Sequence, residues 1–457
     1  MSEYVAGRAQ MGTSLGFHIV FAALGVGLPV LLMAAEGIGL RRHDQVWVDL
    51  ARRWAKAFGI LFAVGAVSGT VLSFELGLLW PGFMRYAGQI IGMPFSLEGF
   101  AFFLEAIFLG LYLYGWERLS PLAHWLCSIP ISISGAASAW FVVTANAWMN
   151  SPAGFRLDHG VVTDVDPLAA MLNRGTPIET VHVMLSCYLA TGFAVAAVYA
   201  AGILRGRRGA LHRRGLALGL AMGAVAAPLM IVTGDINARW VADNQPAKLA
   251  AMEGQFQTEA GAPLRIGGFP DPGSHTTPLA IEIPAGLSFL AYGSTTAVVR
   301  GLDSFPAGST PDPRPVHVGF QVMVGIGFFL LGVAALFLVL LWRRHRVPTD
   351  RPLLWALVAS GFLGFTAIEA GWMVTEIGRQ PWIVYGVLRT RDAITPAPGL
   401  VLSFVLSTAL YVGLGLILVV LLLRLAAGTR RSEREAASDG IGETLPPPRR
   451  RPARGRQ

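Results

Sequence analysis

About nine times along this chain the residues turn apolar for long enough to cross a bilayer, ~20 residues at a stretch. The runs lie near 14–39, 57–79, 96–115, 122–147, 179–204, 215–235, 317–342, 353–375 and 400–424. Inside hydrocarbon the backbone must satisfy its own hydrogen bonds, and runs of this length do so as helices. The expectation is an all-α integral membrane protein with about nine transmembrane helices. Charged residues make up only 14% of the chain, too few to coat a soluble domain of this length.

Basic residues orient the helices. Arg41, Arg42, Arg52, Arg53 and Lys56 follow the first run, Arg205, Arg207, Arg208, Arg213 and Arg214 the fifth, and Arg343, Arg344, Arg346 and Arg351 the seventh. These are alternate loops, so the positive-inside rule puts them in the cytoplasm, with the N-terminus outside and the C-terminus inside. The net charge of +8 is accounted for by these loops and by Arg430, Arg431, Arg434 and Arg449 to Arg451 of the tail, without nucleic acid. Residues 1–425 read as one transmembrane domain and 426–457 as a disordered basic cytoplasmic tail. Between the sixth and seventh helices, 236–316 form a Gly/Pro-rich polar loop on the outer side, long enough to expect a function for it. No cleavable signal peptide is expected, because the run after Arg8 is too long for one. Cys127 and Cys187 lie in apolar runs without metal-type spacing, which points away from disulfides and zinc.

Ionisable residues inside a bilayer are costly and default to function. With the orientation above, His18 lies near the outer start of the first helix, His182 near that of the fifth, and Met323 near that of the seventh, after His317. Glu98 and Glu105, seven residues apart, share one face of the third helix. Glu376 ends the eighth, with Arg379 one turn on, Pro381 stopping the helix and Trp382 at interfacial depth. Singly, each has an ordinary structural explanation: a satisfied core histidine, a gap-filling methionine, a helix-end ion pair. Together they place His, Met and Glu on five helices at one depth. His and Met are standard axial haem ligands, and buried carboxylates suit proton relays. No CxxCH occurs, so any haem is held without covalent attachment.

Several stretches, in order, resemble subunit I of cytochrome bd-type quinol oxidases, including the cyanide-insensitive branch. They are Gly7-Arg8-Ala9-Gln10 with Phe17-His18, Ser96-Leu97-Glu98-Gly99 through Glu105, and Ala145-Asn146-Ala147-Trp148-Met149-Asn150-Ser151-Pro152. Val181-His182, Gln245 to Glu253, Gln321-Val322-Met323-Val324-Gly325 and Glu376-Ile377-Gly378-Arg379-Gln380-Pro381-Trp382 follow. The resemblance covers all nine helices and implies a terminal oxidase, without copper, that oxidises quinol and reduces dioxygen to water. It implies that His182 and Met323 ligate a low-spin haem b. His18 and Glu376 would hold two high-spin haems, one a haem b and the other a haem d or a haem b in its place, with Glu98 beside them and Arg379 and Trp382 in the same cofactor motif. Lys248 and Glu253 match the quinol-binding loop. Protons consumed would come from the cytoplasm past Glu105, with Lys56, Ser138 and Asn146 as further members of the path. Implied partners are a subunit II in a heterodimer, a very small single-helix subunit, ubiquinol or menaquinol, dioxygen and the lipid of a bacterial inner membrane. Two departures lean towards the cyanide-insensitive branch: Gln321 stands where many members carry Arg, and the outer loop is short.

From the residues alone two other classes stay open. A proton-coupled transporter would also bury Glu and His, but would be expected to show broken helices at the midplane and inverted repeats, and neither is evident. A haem subunit that only passes electrons on would need His182 and Met323, but not His18, Glu98 and Glu376.

Overall fold

The computed structural model describes residues 1–442. Among them nine helices are long and apolar enough to cross a membrane. They are α1 (Glu3–Arg42), α2 (Gln45–Leu79), α3 (Pro81–Tyr114), α4 (Pro121–Asn150), α6 (Thr176–Leu204), α7 (Ala210–Asn244), α10 (Pro313–Arg344), α11 (Arg351–Gly378) and α12 (Leu400–Gly442). Three short helices, α5 (Pro167–Met171), α8 (Pro246–Glu253) and α9 (Gly286–Tyr292), lie in connections. So do four two-stranded sheets: the hairpins β1 (Arg156–Asp158) with β2 (Val161–Thr163), β4 (Leu264–Ile266) with β5 (Ile281–Ile283), and β7 (Trp382–Val384) with β8 (Leu388–Arg389), and the pair β3 (Glu259–Ala260) with β6 (Val298–Val299), which encloses β4, β5 and α9.

The helices overrun the apolar runs, for physical reasons. The sixth continues to Asn244 because its polar end carries an i,i+4 pair, Arg239 Nε donating to Asp235 Oδ2 at 2.9 Å. The third begins at Pro81, with Pro94 inside it rather than ahead of it. The apolar part of α12 ends at Ala427, and the end of the expected tail, 443–457, lies outside the described residues.

Odd and even crossings give the bundle two faces. One carries the chain start, the α7–α10 connection and the β7–β8 hairpin, and is called the loop face here. The other carries Arg41, Arg42, Arg213, Arg214, Arg343 and Arg344 and is the arginine face. On that face Asp44 caps α2 by accepting from Val46 N, and pairs with Arg214 at 2.7 Å, tying the starts of α2 and α7. The largest apolar core fills the arginine-face half: Leu31 and Leu32, Leu50 and Phe58, Leu109, Phe193, Leu216, Phe337 and Leu353. Small residues let the backbones close there; a Cβ on Gly192 of α6 would lie 2.6 Å from Gly223 N of α7. The loop-face half holds His18, His182, Met323 and Glu376. Because α3 begins as early as Pro81, Glu98 falls at the middle of that helix and Glu105 in its arginine-face half, so the glutamates of α3 do not share the depth expected for them.

Candidate functional site

At the end of α11 a set of buried polar groups converges. Glu376 Oε2 accepts from Arg379 Nη2 at 2.6 Å, and Oε1 accepts from Asn146 Nδ2 of α4 at 2.7 Å. Asn150, the last residue of α4, is the hub. Its Oδ1 accepts from Lys248 Nζ at 3.2 Å and Arg379 Nη1 at 3.3 Å, while Nδ2 donates to Glu179 Oε2 of α6 at 3.2 Å and Asn146 Oδ1 at 3.1 Å. Gln245 Nε2 donates to the Asn150 carbonyl at 2.9 Å. Two carboxylates and two cations thus interleave, which is how charges survive out of water. Burial pushes the Lys248 ammonium down to about 8, and the Arg379 cation acts the same way against the pull of Glu179 and Glu376. Arg379 Nε is buried without a partner. A buried guanidinium with a donor to spare suits an anionic group such as a haem propionate.

Both histidines are held in one tautomer by the same device. His182 Nδ1 lies 3.1 Å from Thr233 Oγ1, whose own hydrogen goes to the Leu229 carbonyl at 3.0 Å. His18 Nδ1 lies 3.0 Å from Ser68 Oγ, whose hydrogen goes to the Gly65 carbonyl at 3.0 Å. A hydroxyl with its hydrogen committed can only accept, so each Nδ1 carries the proton. Each Nε2 is then left with a lone pair, as an axial haem ligand needs. Glycines leave room beside these donors: a Cβ on Gly69 would lie 2.9 Å from His18 Cε1, and one on Gly371 3.0 Å from Met323 Sδ. The donor set therefore fits haem.

Along the α3–α4 seam, Ser138 Oγ donates to Glu98 Oε1 at 3.2 Å. Glu105 is buried, its Oε1 is unpartnered, and it faces Gly135, where a Cβ would lie 3.2 Å from that oxygen. The two glutamates do share the face turned to α4. Asn146 lies apart from them, bonded to Glu376 and Asn150. Lys56 is exposed at the arginine face, beside a cavity of about 250 Å³ lined also by Arg52, Trp116 and Arg118.

In the α7–α10 connection Lys248 and Glu253 point inward, 5% and 4% exposed. Burial pushes the Glu253 carboxyl up to about 7 against the opposing pull of Arg265, and its Oε2 has no partner. Gln321 holds this loop to α10: its Oε1 accepts from Gly267 N at 3.0 Å and its Nε2 donates to the Arg265 carbonyl at 2.9 Å. His317, one turn earlier, bridges the carbonyls of Met252 at 2.8 Å and Gly267 at 3.0 Å. Trp382 opens β7 opposite Arg389, whose guanidinium sits over its ring at 5.2 Å.

Residues not singled out from sequence complete the picture. Glu179, at the start of α6, lies three residues before His182, and Glu369 lies seven before Glu376 on α11. Glu369 Oε1 is buried and unpartnered, and a Cβ on Gly16 would lie 3.2 Å from its Oε2. Helical spacing from an assigned residue was the signal for both. Near the arginine face Glu36, Tyr112 and His124 form a buried cluster that no local motif announced.

These elements define a polytopic membrane protein with haem-type donors and a buried charge network gathered in one half of the bundle. The chain belongs to the family of cytochrome bd terminal oxidase subunit I, whose model matches residues 6–429. It is 39% identical to a chain provisionally assigned as cytochrome bd menaquinol oxidase subunit I of Bacillus subtilis, covering 93% of this chain and 96% of that one. It is 31% identical to cytochrome bd ubiquinol oxidase subunit 1 of the same organism, covering 93% of each. Its fold is similar to that of bd oxidase from Geobacillus thermodenitrificans, with TM-score 0.88 and 38% identity over 93% of this chain and 98% of that one.

Proposed function

We propose that this chain is the haem-carrying subunit of a terminal quinol oxidase in a bacterial cytoplasmic membrane, paired with a second subunit. The observation that carries this reading is the shared tautomer of His18 and His182, each with Nε2 left open by a committed hydroxyl. His182 and Met323 would hold a low-spin haem b, and His18 and Glu376 the two high-spin haems. When bound, haem supplies the one-electron steps and an open iron position for dioxygen.

The protein's own groups do the rest. Lys248 and Glu253 bind quinol in the α7–α10 loop, and Glu253, with its carboxyl near 7, takes a quinol proton and releases it on the loop face. Arg379 and Asn146 fix the Glu376 carboxylate, and Arg379 Nε has a hydrogen bond to give to a haem propionate. Glu105 and then Ser138 and Glu98 bring protons from the arginine face, the cytoplasmic side by the positive-inside rule, with Lys56 at the entrance. Quinol protons leave on one side and substrate protons enter on the other, so turnover charges the membrane. A single-helix third subunit and an all-b, cyanide-insensitive haem complement belong to the same reading.

The test is dioxygen uptake driven by menaquinol or ubiquinol analogues, using the purified complex in proteoliposomes. Uptake accompanied by acidification of the loop-face side supports the reading. Quinol oxidation that needs an added acceptor other than dioxygen would replace it with an electron-transfer subunit.

A further inference from the structure

A buried cluster near the arginine face stands on none of the assigned residues. Glu36 of α1 accepts from Tyr112 OH of α3 through Oε2 at 2.6 Å, and its Oε1 lies 2.7 Å from His124 Nδ1 of α4. His124 Nε2 lies 2.9 Å from the Tyr112 carbonyl. Glu36 and His124 are each 2% exposed and Tyr112 is fully buried.

The protons can be counted from these contacts. A carbonyl only accepts, so His124 Nε2 carries a hydrogen. Tyr112 donates to Oε2, so that oxygen carries none. The Oε1–Nδ1 contact then needs one proton, shared between a carboxylate and an imidazole. This is a dry site that holds one mobile proton.

Its position lies on a line. Tyr112, Glu105 and Glu98 follow at seven-residue steps on α3, which is ~10 Å per step on one face. On α4, the buried Ser128 and Ser132 and then Gly135 rise from His124 towards Glu105. Below, the Trp116 ring lies 4.0 Å from the His124 ring and 5.5 Å from that of Tyr112, and its other side lines the Lys56 cavity. Through Trp116 the cluster adjoins that cavity, and along α3 it lies one seven-residue step from Glu105.

We infer that Glu36, His124 and Tyr112 form the proton-loading station between the arginine-face cavity and Glu105. The inference rests on the reading that substrate protons enter from this face. One proton enters as one leaves. Tyr112 gives its hydroxyl proton to water leading past Ser128 and Ser132 to Glu105, the shared proton moves onto the Glu36 carboxyl, which turns to return it to Tyr112, and water on the cavity side reprotonates the Glu36–His124 pair. Only O–H and N–H bonds change, and charge is conserved.

A purely structural role is distinguishable, because Glu36→Gln can keep every hydrogen bond. Its amide oxygen accepts from Tyr112 and its amide nitrogen donates to His124 Nδ1, while Nε2 still donates to the Tyr112 carbonyl. Only the mobile proton is lost. In the purified complex, Glu36→Gln is expected to slow quinol-driven dioxygen uptake at least ~10-fold. Proton uptake from the arginine-face side should slow with it and the solvent deuterium isotope effect should rise, with reduced haem spectra and quinol reduction of the low-spin haem unchanged. His124→Gln, whose amide can still donate to the Tyr112 carbonyl, should do the same and decides the matter if Glu36→Gln fails to assemble. Full turnover in an assembled variant overturns the inference. Slowing in Glu105→Gln with full turnover in Glu36→Gln sinks this station alone, and full turnover in both sinks the inner path with it.

Discussion

Lys248 Nζ lies 3.2 Å from Asn150 Oδ1, and that contact joins the α7–α10 loop to the charge network around Glu376. Arg379 shares the same acceptor. The α7–α10 loop and the end of α11 are therefore tied through one side chain. Asn150→Leu leaves both cations without that acceptor, a loss of about 1–3 kcal/mol for buried donors left unsatisfied. A lower melting temperature and a raised KM for quinol are expected together; a change in only one would mean that the loop and the Glu376 site are uncoupled.

Glu376→Gln removes the carboxylate facing Arg379, whose side chain is fully buried. An unpaired buried guanidinium costs roughly 3–5 kcal/mol. One high-spin haem contribution should disappear from the absorption spectrum while the low-spin contribution stays. Arg379→Lys should weaken the same contribution without abolishing it, because an ammonium cannot reproduce both guanidinium contacts.

Gly371 faces Met323, and even a Cβ there would lie 3.0 Å from Sδ. Gly371→Ala should displace the thioether by a few tenths of an ångström and shift the low-spin haem potential. Gly371→Val should convert that haem to a high-spin spectrum, leaving His182 as its ligand. Spectra taken during a redox titration read both effects.

Glu253 supplies a pH dependence whose sign can be worked out. Its carboxyl is pushed up to about 7, so it is protonated below that pH and cannot accept a proton from quinol. Quinol oxidation should therefore rise as pH passes upward through about 7, and Glu253→Gln should remove this limb. Arg265 pulls the carboxyl down, so Arg265→Met should move the limb to higher pH. Steady-state kcat/KM against pH is the measurement.

The spans were legible because a bilayer demands ~20 apolar residues per crossing. Glu376 with Arg379 was legible as an ion pair at helical spacing, and the i,i+3 contact is present. Other relationships depend on where separate helices meet, which local pattern does not encode. Asn150 lies 98 residues before Lys248 and 229 before Arg379, so its place as hub comes from the packing of α4, α8 and α11. Glu36 meets His124 across 88 residues for the same reason. The loop lysine and glutamate were expected in a polar connection, yet both are buried, because α8 folds back onto the ends of α4 and α11.

The assignment of His182 and Met323 to a low-spin haem, apart from the His18 and Glu376 sites, is the centre of this account. It is tested most directly by the dithionite-reduced minus air-oxidised absorption spectrum of the purified complex, taken beside that of His182→Ala. The wild-type spectrum should show a low-spin haem b band with high-spin bands, and the variant should lose the first and keep the second. A wild-type spectrum without haem bands, or a variant spectrum unchanged from it, would contradict the assignment.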